Sequence, residues 1–187
     1  MRQSDVMVYL MTGFLDSGKT QFLTFTLEQD YFQIQGKTLL ILCEEGEEEY
    51  DPKEMLKYGV VIEKVEDKED LTEAWLEEMN RKHKPERVVV EYNGMWPVSD
   101  FEKLALPAGW KIEQKIATVD ASTFQMYLTN LKPLFVEMVK GAELVLFNRC
   151  EDRGPLAGYR RSVKVVSPQA EVIFEDENGE VDNIFED

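Results

Sequence analysis

Lys19 and Thr20 close the octapeptide Gly13-Phe14-Leu15-Asp16-Ser17-Gly18-Lys19-Thr20, which satisfies the pattern G-x-x-x-x-G-K-[ST]. Glycines at both ends let the backbone curl until successive N–H groups point inward, and a helix starting there adds the positive end of its dipole. Such a loop cradles phosphate oxygens. Gly13, Ser17 and Gly18 shape the cradle, Lys19 is spaced to reach β- and γ-phosphates, and Thr20 is spaced to ligate Mg²⁺. Asp16 is the odd member, because a carboxylate aimed into a phosphate cradle is repelled. It is expected to face outward.

A phosphate loop needs a second acid to hold Mg²⁺, directly or through its water shell, and an apolar strand ending in a carboxylate supplies one. Val88-Val89-Val90-Glu91 has that form, and Gly94 shortly after it can offer a backbone N–H to the γ-phosphate. Farther on, Leu144-Val145-Leu146-Phe147-Asn148-Arg149-Cys150-Glu151 has the outline of N-K-x-D. Guanine offers a carbonyl and N7 to the Asn and N–H hydrogens to a carboxylate, a pattern adenine does not match. Arg149 can lay its stem across a base as Lys does, and Glu151 lengthens the acidic arm. The same residues also make an ordinary strand-end loop, and the spacing alone leaves both readings open.

These groups must be held by elements that end on one side of the molecule. Near-continuous apolar runs at 6–11, 38–42, 88–90, 116–119 and 144–147 predict strands buried on both faces, as in a parallel sheet. Helical patterns lie between them at 19–29, 51–57, 71–82, 121–140 with a break before Pro133, and 156–164. The alternation predicts an α/β three-layer sandwich with a mainly parallel sheet and right-handed crossovers, the P-loop NTPase arrangement. Met55 and Met79 read as core and His83 as a surface loop residue.

The chain has 187 residues, 43% hydrophobic and 31% charged, enough for one sizeable core. No apolar run approaches the roughly 18 residues of a membrane span, and no signal-peptide core follows Met1, so a cytoplasmic protein is expected. The formal charge of −16 argues against nucleic acid and anionic membranes as partners. Cys43 and Cys150 lie far apart and suggest neither a disulfide framework nor a zinc ribbon. Acidic residues crowd the stretch Glu44 to Asp51 and the tail after residue 171.

In order and form, these motifs resemble the nucleotide-binding domain of the CobW/HypB/UreG group of GTPases, most of all its CobW branch. That branch opens with G-F-L-G-[AS]-G-K-T, matched by residues 13–20. Its N-E-F-G-E-x-x-x-D is similar to Cys43-Glu44-Glu45-Gly46-Glu47-Glu48-Glu49-Tyr50-Asp51, its E-[TS]-[ST]-G to Glu91-Tyr92-Asn93-Gly94, and its V-D-A to Val119-Asp120-Ala121. Its A-D-x-[IV]-x-x-N-K-x-D resembles Ala142 to Glu151, and its N-P-x-A resembles Ser167-Pro168-Gln169-Ala170. The resemblance implies that Glu44, Glu47 and Asp51 belong to a switch near Mg²⁺ and the γ-phosphate, with Asp51 at the metal. Cys43 replaces the usual Asn. The family's C-x-C-C metal motif has no counterpart, since no cysteine lies between Asp51 and Glu91, and a tight thiolate metal site is not expected.

The sequence thus predicts a nucleotide-binding domain over residues 1–174 and an acidic tail over 175–187 that is read as the cut end of a longer protein. It binds GTP and Mg²⁺ and hydrolyses GTP slowly, with a protein client or a second copy of the chain as further partner. A nucleotide-gated interaction domain with little turnover and an ATP-dependent kinase or ATPase are the alternatives.

Overall fold

The computed structural model describes residues 5–44, 46, 49–151, 155–177 and 179–180. Strand β1 (Val6–Thr12) runs into the glycine-rich loop and helix α1 (Lys19–Glu28), followed by β2 (Thr38–Leu42), α2 (Pro52–Lys57) and β3 (Val60–Lys64). Next come α3 (Glu73–His83), β4 (Arg87–Glu91), α4 (Val98–Glu102) and β5 (Trp110–Asp120). The chain continues through α5 (Phe124–Asn130), α6 (Lys132–Val139), β6 (Leu144–Asn148), α7 (Ala157–Val166), β7 (Glu171–Asp176) and β8 (Gly179–Glu180).

The strands form one sheet in the order β3-β2-β4-β1-β5-β6-β7-β8. All neighbours pair in parallel except β7 and β8, which form an antiparallel hairpin. The expected α/β sandwich with a mainly parallel sheet is the architecture observed.

Period-2 alternation divides the side chains between the two faces. Met11, Leu40, Leu42, Val89 and Ile116 pack with Leu23 and Leu27 of α1 and Met55 of α2. On the opposite face Val8, Leu10, Leu39, Ile41, Val88 and Val90 meet α3 and α4, while Val119, Val145, Phe147 and Phe174 meet α5, α6 and α7. Met55 and Met79 are buried, as read from sequence. Pro133 sits in the first turn of α6, where its missing N–H costs nothing, and the chain breaks at Leu131 between α5 and α6.

Strands β3 and β7 lie outside the five expected from apolar runs. Each carries three apolar residues, Val60-Val61-Ile62 and Val172-Ile173-Phe174, as many as Val88-Val89-Val90 of β4, but a charged pair follows, Glu63-Lys64 and Glu175-Asp176, where β4 has the single acid Glu91. His83 ends α3 rather than lying in a loop, and its Nε2 is 2.6 Å from Glu63 Oε1.

The first crossover leaves β1 toward β2, whereas β5 lies on the other side of β1. Carboxyl ends of strands beside such a reversal open a crevice that receives ligands in open α/β sheets. The glycine-rich loop follows β1 at this place.

Candidate functional site

Lys19 heads α1 and folds back into the loop that precedes it. Its Nζ donates to the carbonyls of Gly13 at 2.7 Å and Phe14 at 2.9 Å. Gly18 takes φ 91°, and an added Cβ would lie 2.4 Å from Asn148 Nδ2, so the turn into the helix needs glycine both for its backbone angle and for space. Ser17 is buried, with its Oγ 2.8 Å from Thr118 Oγ1, which ties the loop to β5. Asp16, at φ 57°, is exposed, and it also lines the cavity that Lys19 and Thr20 line.

Glu91, the last residue of β4, is buried beside the loop. Its Oε1 accepts from Thr20 Oγ1 at 2.8 Å, and its Oε2 accepts from the Tyr50 hydroxyl. Burial pushes the Glu91 carboxyl above its ordinary range, against the lowering effect of the Tyr50 and Thr20 hydrogen bonds and the Lys19 charge. Burial, with Glu91 beside it, also drives the Tyr50 phenol well up. Tyr50 is the residue sequence reasoning missed. Its position one before Asp51 in the acidic stretch marks the right segment, but nothing in its type signals a bond to an acid about forty residues away.

Glu44 also reaches this centre. Its Oε2 is 2.6 Å from Lys19 Nζ, with the two side chains 9% and 3% exposed, and its Oε1 accepts from the Gly94 N–H at 3.2 Å. Gly94 itself must be glycine, because a Cβ there would come within 2.3 Å of the Gly13 carbonyl oxygen. The cavity bounded by Leu15, Gly18, Lys19, Thr20, Glu44 and Glu91 holds about 60 Å³. At about 10–15 Å³ per water that is room for a few waters.

Asn148 and Arg149 approach the loop from β6. Asn148 Nδ2 donates to the Ser17 carbonyl at 2.7 Å, while its Oδ1 is buried with no hydrogen-bond partner among the described residues. A carbonyl accepts only from Nδ2, so this bond fixes the orientation of the amide and leaves its second N–H hydrogen unspent. Arg149, at φ 53°, donates to the Asp16 carbonyl at 2.9 Å and pairs with Asp120 Oδ2 at 2.5 Å. Burial alone would raise the Asp120 carboxyl, but bonds from Ser122 and Arg149 outweigh it and hold the group below its ordinary value. Glu151 lines a separate groove of about 880 Å³ that runs along α1 past Phe22, Phe25 and Leu146 and also touches Gly18, Asn148 and Arg149.

The structure therefore gathers Gly13, Ser17, Gly18, Lys19, Thr20, Glu44, Glu91 and Gly94 around one centre, with Asn148 and Arg149 against the loop. Asp51 is placed differently: its carboxylate caps α2, accepting from the N–H of Lys53 at 2.8 Å and of Glu54 at 3.4 Å. Glu47 lies outside the described residues.

A family model for the CobW/HypB/UreG nucleotide-binding domain matches residues 7–174. Among solved structures, Zn(II)-bound YjiA GTPase from E. coli superposes with a TM-score of 0.67 at 22% identity, covering 98% of this chain and 62% of that one. The hydrogenase maturation factor HypB from Archaeoglobus fulgidus gives 0.60 at 18% identity over 93% and 82% of the two chains. HypB from Helicobacter pylori in complex with nickel gives 0.58 at 14% identity over 93% and 80%. Likeness at these identities establishes the fold. The chain spans less than two thirds of the YjiA structure it matches. A search of curated proteins finds no significant match.

Proposed function

The chain belongs to the CobW/HypB/UreG nucleotide-binding family, and on that premise we propose that it binds GTP with Mg²⁺ and hydrolyses it slowly. The observation that carries this reading is the convergence of the Lys19 ammonium, the Thr20 hydroxyl and the Glu91 carboxylate on one small cavity at the strand ends, with the Gly94 N–H joined to it through Glu44. Thr20 and Glu91 are hard oxygen donors already in contact, which suits Mg²⁺, and Asp51 would have to give up its capping bonds to join them. Bound between them, Mg²⁺ would contribute positive charge to the phosphates. Lys19 would neutralise charge that develops on the transferred phosphoryl group, and the loop N–H groups would orient it, so catalysis is positioning and electrostatics. Such a site turns over slowly until a partner completes it.

Guanine selection rests on the unspent N–H of Asn148, available to a base carbonyl or N7, and on Glu151 for the N–H edge. A hydrogen-bonding site of this kind discriminates strongly, because the wrong base leaves buried groups unpaired. Competition of GTP and ATP, each with Mg²⁺, against a fluorescent guanine nucleotide tests the reading. GTP is expected to displace the probe at far lower concentration, and equal potency would contradict guanine recognition.

A nucleotide-gated interaction domain with little turnover is the second reading, favoured by the Glu44 carboxylate on Lys19. Single-turnover hydrolysis separates the two. A thiolate metal site has no part in either. Cys43 follows β2 and Cys150 follows β6, and three strands stand between those two. At about 4.8 Å per strand the thiols are ~19 Å apart, too far to share a metal ion. We place the protein in the cytoplasm, with a protein client or a second copy as partner. No helix among the described residues is long and apolar enough to cross a membrane.

A further inference from the structure

We propose that Glu44 is a built-in stand-in for the terminal phosphate, so that a nucleoside triphosphate binds by displacing it from Lys19 and Gly94. The proposal rests on the nucleotide-binding reading and adds to it how the resting site is kept closed.

The Lys19 ammonium and the Gly94 N–H are the two donors that the sequence assigns to the γ-phosphate. In the structure one carboxylate satisfies both, with Oε2 on Lys19 Nζ at 2.6 Å and Oε1 on Gly94 N at 3.2 Å. A carboxylate and a phosphate present the same chemistry to such donors: negative oxygens on one centre, each able to accept a charge-assisted hydrogen bond. Glu44 is nearly sealed from water in this position, and the cavity left beside it holds about 60 Å³. While the carboxylate remains, the Lys19 ammonium and the Gly94 N–H are both occupied.

Neighbouring contacts hold the plug in register. Cys43 N donates to the Glu91 carbonyl at 2.9 Å, and Asn93 Nδ2 donates to the Cys43 carbonyl at 3.2 Å, so the residue before Glu44 is fastened to the end of β4 and the loop after it. At the other end of the acidic stretch the Tyr50 hydroxyl holds Glu91, whose second oxygen is taken by Thr20. In this state the donors meant for phosphate and the oxygens meant for a metal are engaged with one another. A γ-phosphate replaces both Glu44 contacts at once, whereas a diphosphate can meet Lys19 through its β-phosphate but leaves Gly94 without a replacement acceptor. Glu44 thereby makes the site favour triphosphate.

The arithmetic is that of a competing internal ligand: if the unplugged state is about 1–10% populated, apparent affinity is lowered about 10- to 100-fold, and removing the plug restores it. Calorimetric titration of the full chain with a non-hydrolysable GTP analogue and with GDP, both with Mg²⁺, is run on wild type, Glu44→Gln and Glu44→Ala. Both variants are expected to bind the analogue about 10- to 100-fold more tightly than wild type, with a smaller gain for GDP. Analogue affinity that is unchanged or weaker in the variants, with wild type binding, overturns the plug and leaves the nucleotide site standing. If wild type and both variants alike bind neither nucleotide, the nucleotide reading falls and the plug with it. A measurement on wild type guards against a variant that fails to fold: the Gly94 amide resonance is expected to shift when the analogue binds, as its acceptor changes from carboxylate to phosphate. An unmoved Gly94 resonance at saturating analogue also overturns the proposal.

Discussion

Asp120 and Arg149 meet at the rim of the site, where the guanidinium also reaches the Asp16 carbonyl of the phosphate loop. Asp120 is held below its ordinary value of 3.8, the Ser122 and Arg149 bonds overcoming its burial. A carboxylate depressed in the folded state contributes stability that is present above its unfolded value and lost as pH falls through the folded one. Asp120→Asn is therefore expected to lower stability at neutral pH by about 0.2–1 kcal/mol, the range for a part-exposed pair. Urea unfolding should show this gap closing once the pH drops below 3.8 and on through the depressed value. A gap that stays constant with pH would mean the pair contributes nothing through charge. At this scale the sequence was partly readable. Lys19, Thr20 and Glu91 announce themselves through a spaced motif and a strand-end acid, and they meet where that pattern places them. Glu44 on Lys19 and Tyr50 on Glu91 were hidden, because a contact across the fold has no periodicity and no local spacing to betray it.

Elements meet tightly where the segment after β4 crosses the phosphate loop. Gly94 lies so close that an added Cβ would stand 2.3 Å from the Gly13 carbonyl oxygen and 2.7 Å from Phe14 Cα, both backbone atoms that no rotamer change can move away. Gly94→Ala must therefore separate the two segments, at a cost of about 1–3 kcal/mol by analogy with overpacked cores. Thermal unfolding is expected to shift down, and nucleotide binding to weaken with it. An unchanged Tm and unchanged affinity would show that the loop yields freely. Apolar runs between turn residues made β1, β2, β4, β6 and the last part of β5 legible, and Pro133 marked the division between α5 and α6. Strands β3 and β7 escaped because their short apolar centres are followed by Glu63-Lys64 and Glu175-Asp176, which read alone as solvated loop. Only pairing with β2 and β6 makes them strands.

For the whole molecule the governing facts are a parallel sheet that brings its strand ends to one crevice and a formal charge of −16. A surface so negative repels nucleotide at long range, so affinity must come from the few donors gathered at the crevice, and Lys19 is the ammonium buried at their centre. The most direct measurement is calorimetric titration of GTP into the purified chain with Mg²⁺, repeated with chelator and with Lys19→Ala. Stoichiometric binding that needs Mg²⁺ and is lost in the variant is the predicted result. Equal affinity in wild type and Lys19→Ala, or binding indifferent to Mg²⁺, would contradict the assignment of the phosphate site.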